Sequence, residues 1–136
     1  MRKNRQGFTL VEIMIVVAII ALLAVIAIPN LMRARVSAND ALAQSTLRTL
    51  ATAAQNYAAD NSGTFPSSFN DMYTATPRYV NSTYGATVSG YDYTFSGGGT
   101  TGDFTIQAAP PSGSCGKTGS KSCTIDATGS ISCGSC

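Results

Sequence analysis

An α+β fold is predicted, in which one long N-terminal helix packs through its second half on a small C-terminal antiparallel sheet. Three observations carry this. Residues 8–28, FTLVEIMIVVAIIALLAVIAI, are apolar apart from Thr9 and Glu12. Residues 30–59 hold apolar side chains at helical spacing and contain no Gly or Pro. Beyond residue 56 lie twelve of the 13 glycines and ten of the 11 aromatic residues, and the apolar pattern there becomes an alternation.

The first half of the helix has the dimensions of a membrane span. At 1.5 Å per residue, residues 8–28 extend about 31 Å, close to the thickness of a bilayer's hydrocarbon core. Glu12 is its one charge. A carboxylate in that setting costs several kcal/mol unless it snorkels to the headgroups or meets a cation, so it marks a functional position whose partner has to be found. Arg2, Lys3 and Arg5 lie just ahead of the run, while the rest of the chain is slightly acidic. A short basic flank before an apolar span keeps the N-terminus in the cytoplasm and sends the C-terminal part of the chain across. Residues 1–7 read as a leader to be removed, and the run is longer than the core of an ordinary cleaved signal peptide. Cleavage after Ala27, as in such a peptide, is the alternative.

Pro29 closes the apolar run and leaves the Val25 carbonyl without its helical donor. Beyond it Val36, Ala43, Leu47, Leu50, Ala54 and Tyr57 form an amphipathic stripe. One helix of about 50 residues, kinked at Pro29, accounts for both halves. Residues 60–63, Asp-Asn-Ser-Gly, end it, with Asn61 or Gly63 available for a left-handed cap. Four segments are therefore expected: a leader at 1–7, a membrane or core helix at 8–28, an amphipathic helix at 29–60 and a sheet domain at 61–136.

In the last segment Tyr91, Tyr93 and Phe95 share one strand face, as do Phe104, Ile106 and Ala108 of the next strand. Gly97, Gly98, Gly99 and Gly102 connect the two. A third strand at 122–126 turns through residues 126–129 into a fourth at 130–133, with Asp first and Gly fourth as a type I turn prefers. The stripe from Leu47 to Tyr57 is the available cover for the sheet. Residues 64–89 show no clear period and read as a loop, with a short helix near 67–73.

Composition excludes several function classes. There is no histidine, which removes the commonest general base and metal ligand, and the few acids are scattered. No catalytic residue, metal site or cofactor is assigned, and no enzyme activity is expected. Nothing resembles a nucleic-acid footprint, since the basic excess belongs to the leader. Cys115, Cys123, Cys133 and Cys136 fall in the last 22 residues, an even number in a small exported domain, as in a disulfide framework. A four-thiolate zinc site is the competing reading, but Cys115 and Cys123 lack the short knuckle spacing. Three pairings are open. The turn at 126–129 brings Cys123 close to opposite Ser132 or Cys133, which favours Cys123 with Cys133 and Cys115 with Cys136.

Gly7-Phe8-Thr9-Leu10-Val11-Glu12, with the apolar run to Pro29 behind it, resembles the N-terminal signature of type IV pilins and pseudopilins. Weaker likenesses are Gly63-Thr64-Phe65-Pro66 and the stretch from Thr124 to Ile131. The resemblance implies that a membrane-embedded prepilin peptidase cuts between Gly7 and Phe8 and methylates the new amine of Phe8. It further implies an inner-membrane subunit that passes from lipid, with the help of assembly machinery, into an extracellular or periplasmic homopolymer built on these helices. Removing the leader creates an α-amino group four residues from Glu12. That cation is a partner for Glu12, within one chain or from a neighbour, where the pair would set axial register. Snorkelling is the plainer alternative. Two departures stand out. Ala21 occupies the place of a helix-weakening glycine common in pilins, and the Trp and acidic calcium loop frequent in secretion pseudopilins are missing. The expected function is that of a pilus subunit; a type II secretion pseudopilin and an anchored, non-polymerising binding domain are the alternatives. No aromatic residue lies between Phe8 and Tyr57, so an electrically insulating filament core is expected.

Overall fold

The computed structural model describes residues 7–99 and 102–136; residues 1–6 of the expected leader, and residues 100 and 101 of the glycine-rich connection, lie outside the described residues. Its elements are α1 (Leu10–Asp60), α2 (Phe69–Thr74), β1 (Asp92–Gly97), β2 (Phe104–Ala109), β3 (Lys121–Asp126) and β4 (Ile131–Ser135). The fold is α+β: a long N-terminal helix with an apolar start and a four-stranded antiparallel sheet.

The chain divides into two compact units, Met1–Ala34 and Arg35–Cys136. In the first, the described residues are the segment before α1 and its opening turns. Every large apolar side chain from Phe8 to Met32 is exposed, and Pro29 lies inside the helix. In the second unit, partial burial on α1 starts at Val36.

In the second unit the expected stripe is the buried face. Ala43, Leu47, Leu50 and Ala54 are buried, and Val36 and Tyr57 are half-buried. The stripe joins Tyr91, Tyr93, Phe104, Ile106 and Ile125 in one apolar cluster. The sheet is a meander in the order β1-β2-β3-β4. Its alternation arises from the two-residue period of a strand, which sends Phe104, Ile106 and Ala108 to the core and their neighbours outward. β3 starts one residue before the expected strand, and β4 runs from residue 131 to 135 instead of 130 to 133. The intervening turn is closed by the Gly129 amide donating to the Asp126 carbonyl.

The end of α1 is capped by residues in the left-handed region, Ser62 as well as Gly63, and the Gly63 amide donates to the Ala58 carbonyl at 2.7 Å. Asn61 is not among the left-handed residues; its side chain donates to the Tyr57 carbonyl instead. The 64–89 segment is more ordered than its sequence suggests. Ser68 caps α2 in a capping box with Asp71, and Phe69 and Met72 are buried. Gly98 has a positive φ, and a Cβ there would fall 1.9 Å from the Pro66 carbonyl oxygen, so only glycine lets this loop close on the β1–β2 hairpin.

Candidate functional site

At the N-terminus, Gly7 and Phe8 precede α1 and are exposed, Phe8 at 83%. A Cβ added to Gly7 would meet nothing within 4 Å. The helix then opens with a reciprocal cap. The Glu12 amide donates to the Thr9 hydroxyl oxygen at 3.3 Å, while the Thr9 amide and hydroxyl donate to Glu12 Oε2 at 3.2 and 3.1 Å. This is a capping box, Thr at the cap and Glu three residues on, which satisfies amides that no helical carbonyl can reach. The negative charge also lies at the positive end of the helix dipole. Sequence alone presents Glu12 as a charge in search of a cation. The signal for the cap is the Thr-x-x-Glu spacing just before the apolar run.

Both bonds to the Glu12 carboxylate use Oε2, so the group is held in one orientation and Oε1 has no partner among the described residues. Around it the helix presents aliphatic side chains on every side, and none of its most apolar stretch is buried. Such a surface needs lipid or other helices around it. By length and composition this helix is able to cross a membrane.

In the second unit a polar cluster ties α1 to the C-terminal loop. Asp40, only 8% exposed, accepts the Tyr91 hydroxyl at 2.6 Å, the Ser120 amide at 2.9 Å and the Ser120 hydroxyl at 2.5 Å. Asn39 donates to the Thr118 carbonyl at 2.7 Å. Burial acts to raise the Asp40 pKa, but the Ser120 and Tyr91 hydrogen bonds outweigh it and hold the carboxyl below its ordinary value. The Tyr91 hydroxyl is pushed up to about 12 by burial and by its bond to Asp40. Gly119 lies against the Tyr91 ring, where a Cβ would come 2.4 Å from the hydroxyl oxygen. The same loop is closed by the disulfide Cys115–Cys136, and Cys123–Cys133 links β3 to β4, which leaves no free cysteine among the described residues. Cys123 and Cys133 are direct cross-strand partners of β3 and β4.

Nothing in the apolar pattern marks Asp40. The stripe steps from Val36 to Ala43, and that seven-residue stride leaves room for one inward position, which Asp40 fills. Among the described residues no group of three or more His, Cys, Asp or Glu is placed to hold a metal ion.

The N-terminal geometry defines a class: an exposed apolar helix with a capped glutamate, preceded by a glycine and a phenylalanine. Comparison with known proteins gives the class a name. Residues 2–28 match the family described as the prokaryotic N-terminal methylation motif. Over 59 residues the chain is 46% identical to the type IV wide pilus major component PilA4 of Thermus thermophilus, covering 43% of this chain and 45% of that one. The type IV major pilin protein PilA of Myxococcus xanthus is 44% identical over 54 residues, 40% of this chain and 24% of that one. The type II secretion system core protein G of Pseudomonas aeruginosa is 37% identical over 60 residues, 44% of this chain and 42% of that one. No solved structure matches. The N-terminal segment is similar to those of type IV pilins and a type II secretion core protein, and the matches span less than half the length of each of these relatives.

Proposed function

We propose that this chain is a structural subunit of a type IV pilus, processed by a prepilin peptidase between Gly7 and Phe8, methylated on the Phe8 amine, and polymerised through α1. The observation that carries the reading is the apolar surface of α1, exposed throughout the first unit and opened by the methylation motif. Before assembly that surface is solvated by the lipid of the inner membrane, with the sheet domain outside the cytoplasm. In the polymer it is covered by the same helices of other copies, and the assembly machinery supplies the transfer.

The chemistry of the register starts from the cap. Thr9 keeps Oε2 of Glu12 engaged and leaves Oε1 to accept a charge-assisted hydrogen bond. Cleavage supplies the donor, a new ammonium on Phe8. Within an apolar bundle an unpaired carboxylate is strongly disfavoured, so a neighbour whose amine meets Oε1 is accepted at one axial offset and rejected at others. The likeness to the secretion core protein G favours a second reading, a short periplasmic pseudopilin filament built on the same helix contacts.

Filaments sheared from producing cells test the proposal. Mass spectrometry is expected to find this chain in them, beginning at Phe8, with one methyl group on its amine and both disulfides intact. Filaments that lack the chain, or a mature protein that begins after Ala27, would refute it. Filaments confined to the periplasm would select the pseudopilin reading.

A further inference from the structure

Where α1 ends, the second unit holds an open cavity of about 600 Å³ whose lining includes Tyr57, Asp60, Asp71 and Tyr79. Two of its walls are aromatic. The Tyr57 and Tyr79 rings meet edge to face, with centroids 5.5 Å apart and planes at 71°. Tyr79 is anchored at both ends, its amide donating to the Met72 carbonyl at 3.0 Å and its hydroxyl to Asp60 Oδ2. The cavity is therefore largely formed before any ligand arrives.

Its charge is one-sided. Asp60 and Asp71 both line it, and no Lys or Arg does. Each carboxylate is held through one oxygen only. Asp60 Oδ2 accepts the Tyr79 hydroxyl, while Asp71 Oδ2 accepts the Ser67 amide and hydroxyl at 2.8 and 2.7 Å and the Ser68 amide at 3.0 Å. Oδ1 of both has no hydrogen-bond partner among the described residues. Burial acts to raise the Asp71 pKa, but the Ser67 and Ser68 hydrogen bonds outweigh it and favour the ionised form. Asp60 also lies at the negative end of the α1 dipole, in a last turn without a basic residue. Two guanidiniums of the same region are placed elsewhere: Arg78 lies over the Tyr73 ring, 4.7 Å from its centroid, and Arg48 lines a separate cavity of about 380 Å³ that shares Tyr79.

These features select a ligand class. Two carboxylates without a basic neighbour in the cavity call for a cation. A metal ion is a poor occupant, since no group of three His, Cys, Asp or Glu is gathered among the described residues and hard cations take six or more oxygens. The volume is instead that of a small-molecule site. Aromatic walls favour a cation that carries alkyl groups, whose charge is attracted to the rings while its carbon is removed from water.

We infer that this cavity binds a small alkylammonium ion, with Asp60 and Asp71 supplying the counter-charge and Tyr57 and Tyr79 the apolar wall. Choline carries that chemistry, both as a free solute and as a phospholipid headgroup. The site needs only the fold of the second unit and does not depend on the polymer reading.

The test titrates the full-length chain, in a non-ionic detergent and at constant ionic strength, with choline, with its uncharged tert-butyl isostere and with phosphocholine. Binding is read from the chemical shifts of isotope-labelled tyrosine rings. Choline is expected to give saturable shifts of Tyr57 and Tyr79 at millimolar concentration, and the uncharged isostere to bind at least about tenfold more weakly. Asp60→Asn keeps an acceptor for the Tyr79 hydroxyl and is expected to weaken choline binding about fivefold, as is Asp71→Asn on the other wall. Unchanged near-ultraviolet circular dichroism checks that both variants keep their fold. With choline bound, tighter binding of phosphocholine assigns a lipid headgroup as the source, the phosphate reaching Arg48, and weaker binding assigns a free alkylammonium. The absence of saturable shifts would overturn the site, as would equal binding of the uncharged isostere or native affinity in both folded variants.

Discussion

Replacing Asp40 with Ala removes the acceptor for three hydrogen bonds at once. The Tyr91 hydroxyl, itself on a buried side chain, and the Ser120 amide and hydroxyl lose their partner. A buried donor left unsatisfied costs roughly 1–3 kcal/mol, and bonds to a charged acceptor lie in the upper part of that range. Ser120 is exposed and water replaces part of its loss, so the cost centres on Tyr91 and the Ser120 amide, about 3 kcal/mol in all. For a unit of this size that is a fall of about 15 °C in Tm. The assay is thermal unfolding of the full-length chain in detergent, monitored by near-ultraviolet circular dichroism of the tyrosines, with both disulfides oxidised. Asp40→Asn is expected to fall between the native chain and Asp40→Ala, since an amide oxygen still accepts but carries no charge. Acid gives an independent check. The folded Asp40 pKa is depressed, so its stabilisation is present above the unfolded value near 3.9 and is lost as pH falls through the folded value. The advantage of the native chain over Asp40→Asn therefore shrinks below about pH 4. A loss in Asp40→Ala under about 0.5 kcal/mol, within the range of an ordinary surface substitution, would refute the reasoning.

Three further outcomes are expected. Gly119→Ala places a methyl group against the Tyr91 ring and is expected to cost about 1–3 kcal/mol, measured in the same unfolding assay. Replacing Cys115 and Cys136 with Ser opens a loop with a sequence separation of 21 and is expected to remove about 3 kcal/mol, detected as earlier urea unfolding and faster proteolysis of the C-terminal loop. Thr9→Ala removes the cap hydroxyl at the start of α1, a loss of about 1 kcal/mol of helix stability, and leaves the Glu12 side chain held by the residue 9 amide alone; reduced filament yield with normal membrane insertion is the expected result, compared by immunoblot of sheared and membrane fractions.

The elements with strong periodicity are legible in the sequence. The helix stripe from Ala43 to Ala54 and the alternation of Phe104, Ile106 and Ala108 each report a buried face directly, because burial repeats with the geometry of the element. The cysteine neighbourhood is legible for a related reason: the Asp126 to Gly129 turn fixes which residues of β3 and β4 are opposite. The features that escape are polar and non-periodic. Asp40 sits at an inward position of the stripe, yet a charged residue does not register in an apolar pattern, and its partners are 51 and 80 residues away. The order in residues 64–89 comes from Ser68, Asp71 and two buried apolar side chains in a helix of six residues, too short for a period to show. The Thr9–Glu12 cap is visible in the spacing, but a lone charge in an apolar run points to distant partners before the local one.

In the proposed filament α1 is the core of the polymer and Glu12 sets its register. Glu12→Ala in the full-length chain tests it most directly, with Glu12→Gln beside it to retain an oxygen acceptor for Thr9 without the charge. Both variants are expected to be cleaved at Gly7 and inserted in the membrane at native level, yet to yield filaments at least about tenfold fewer, the scale set by losing one desolvated charge pair. Native filament yield from both variants, with leader removal confirmed by mass, would contradict the account.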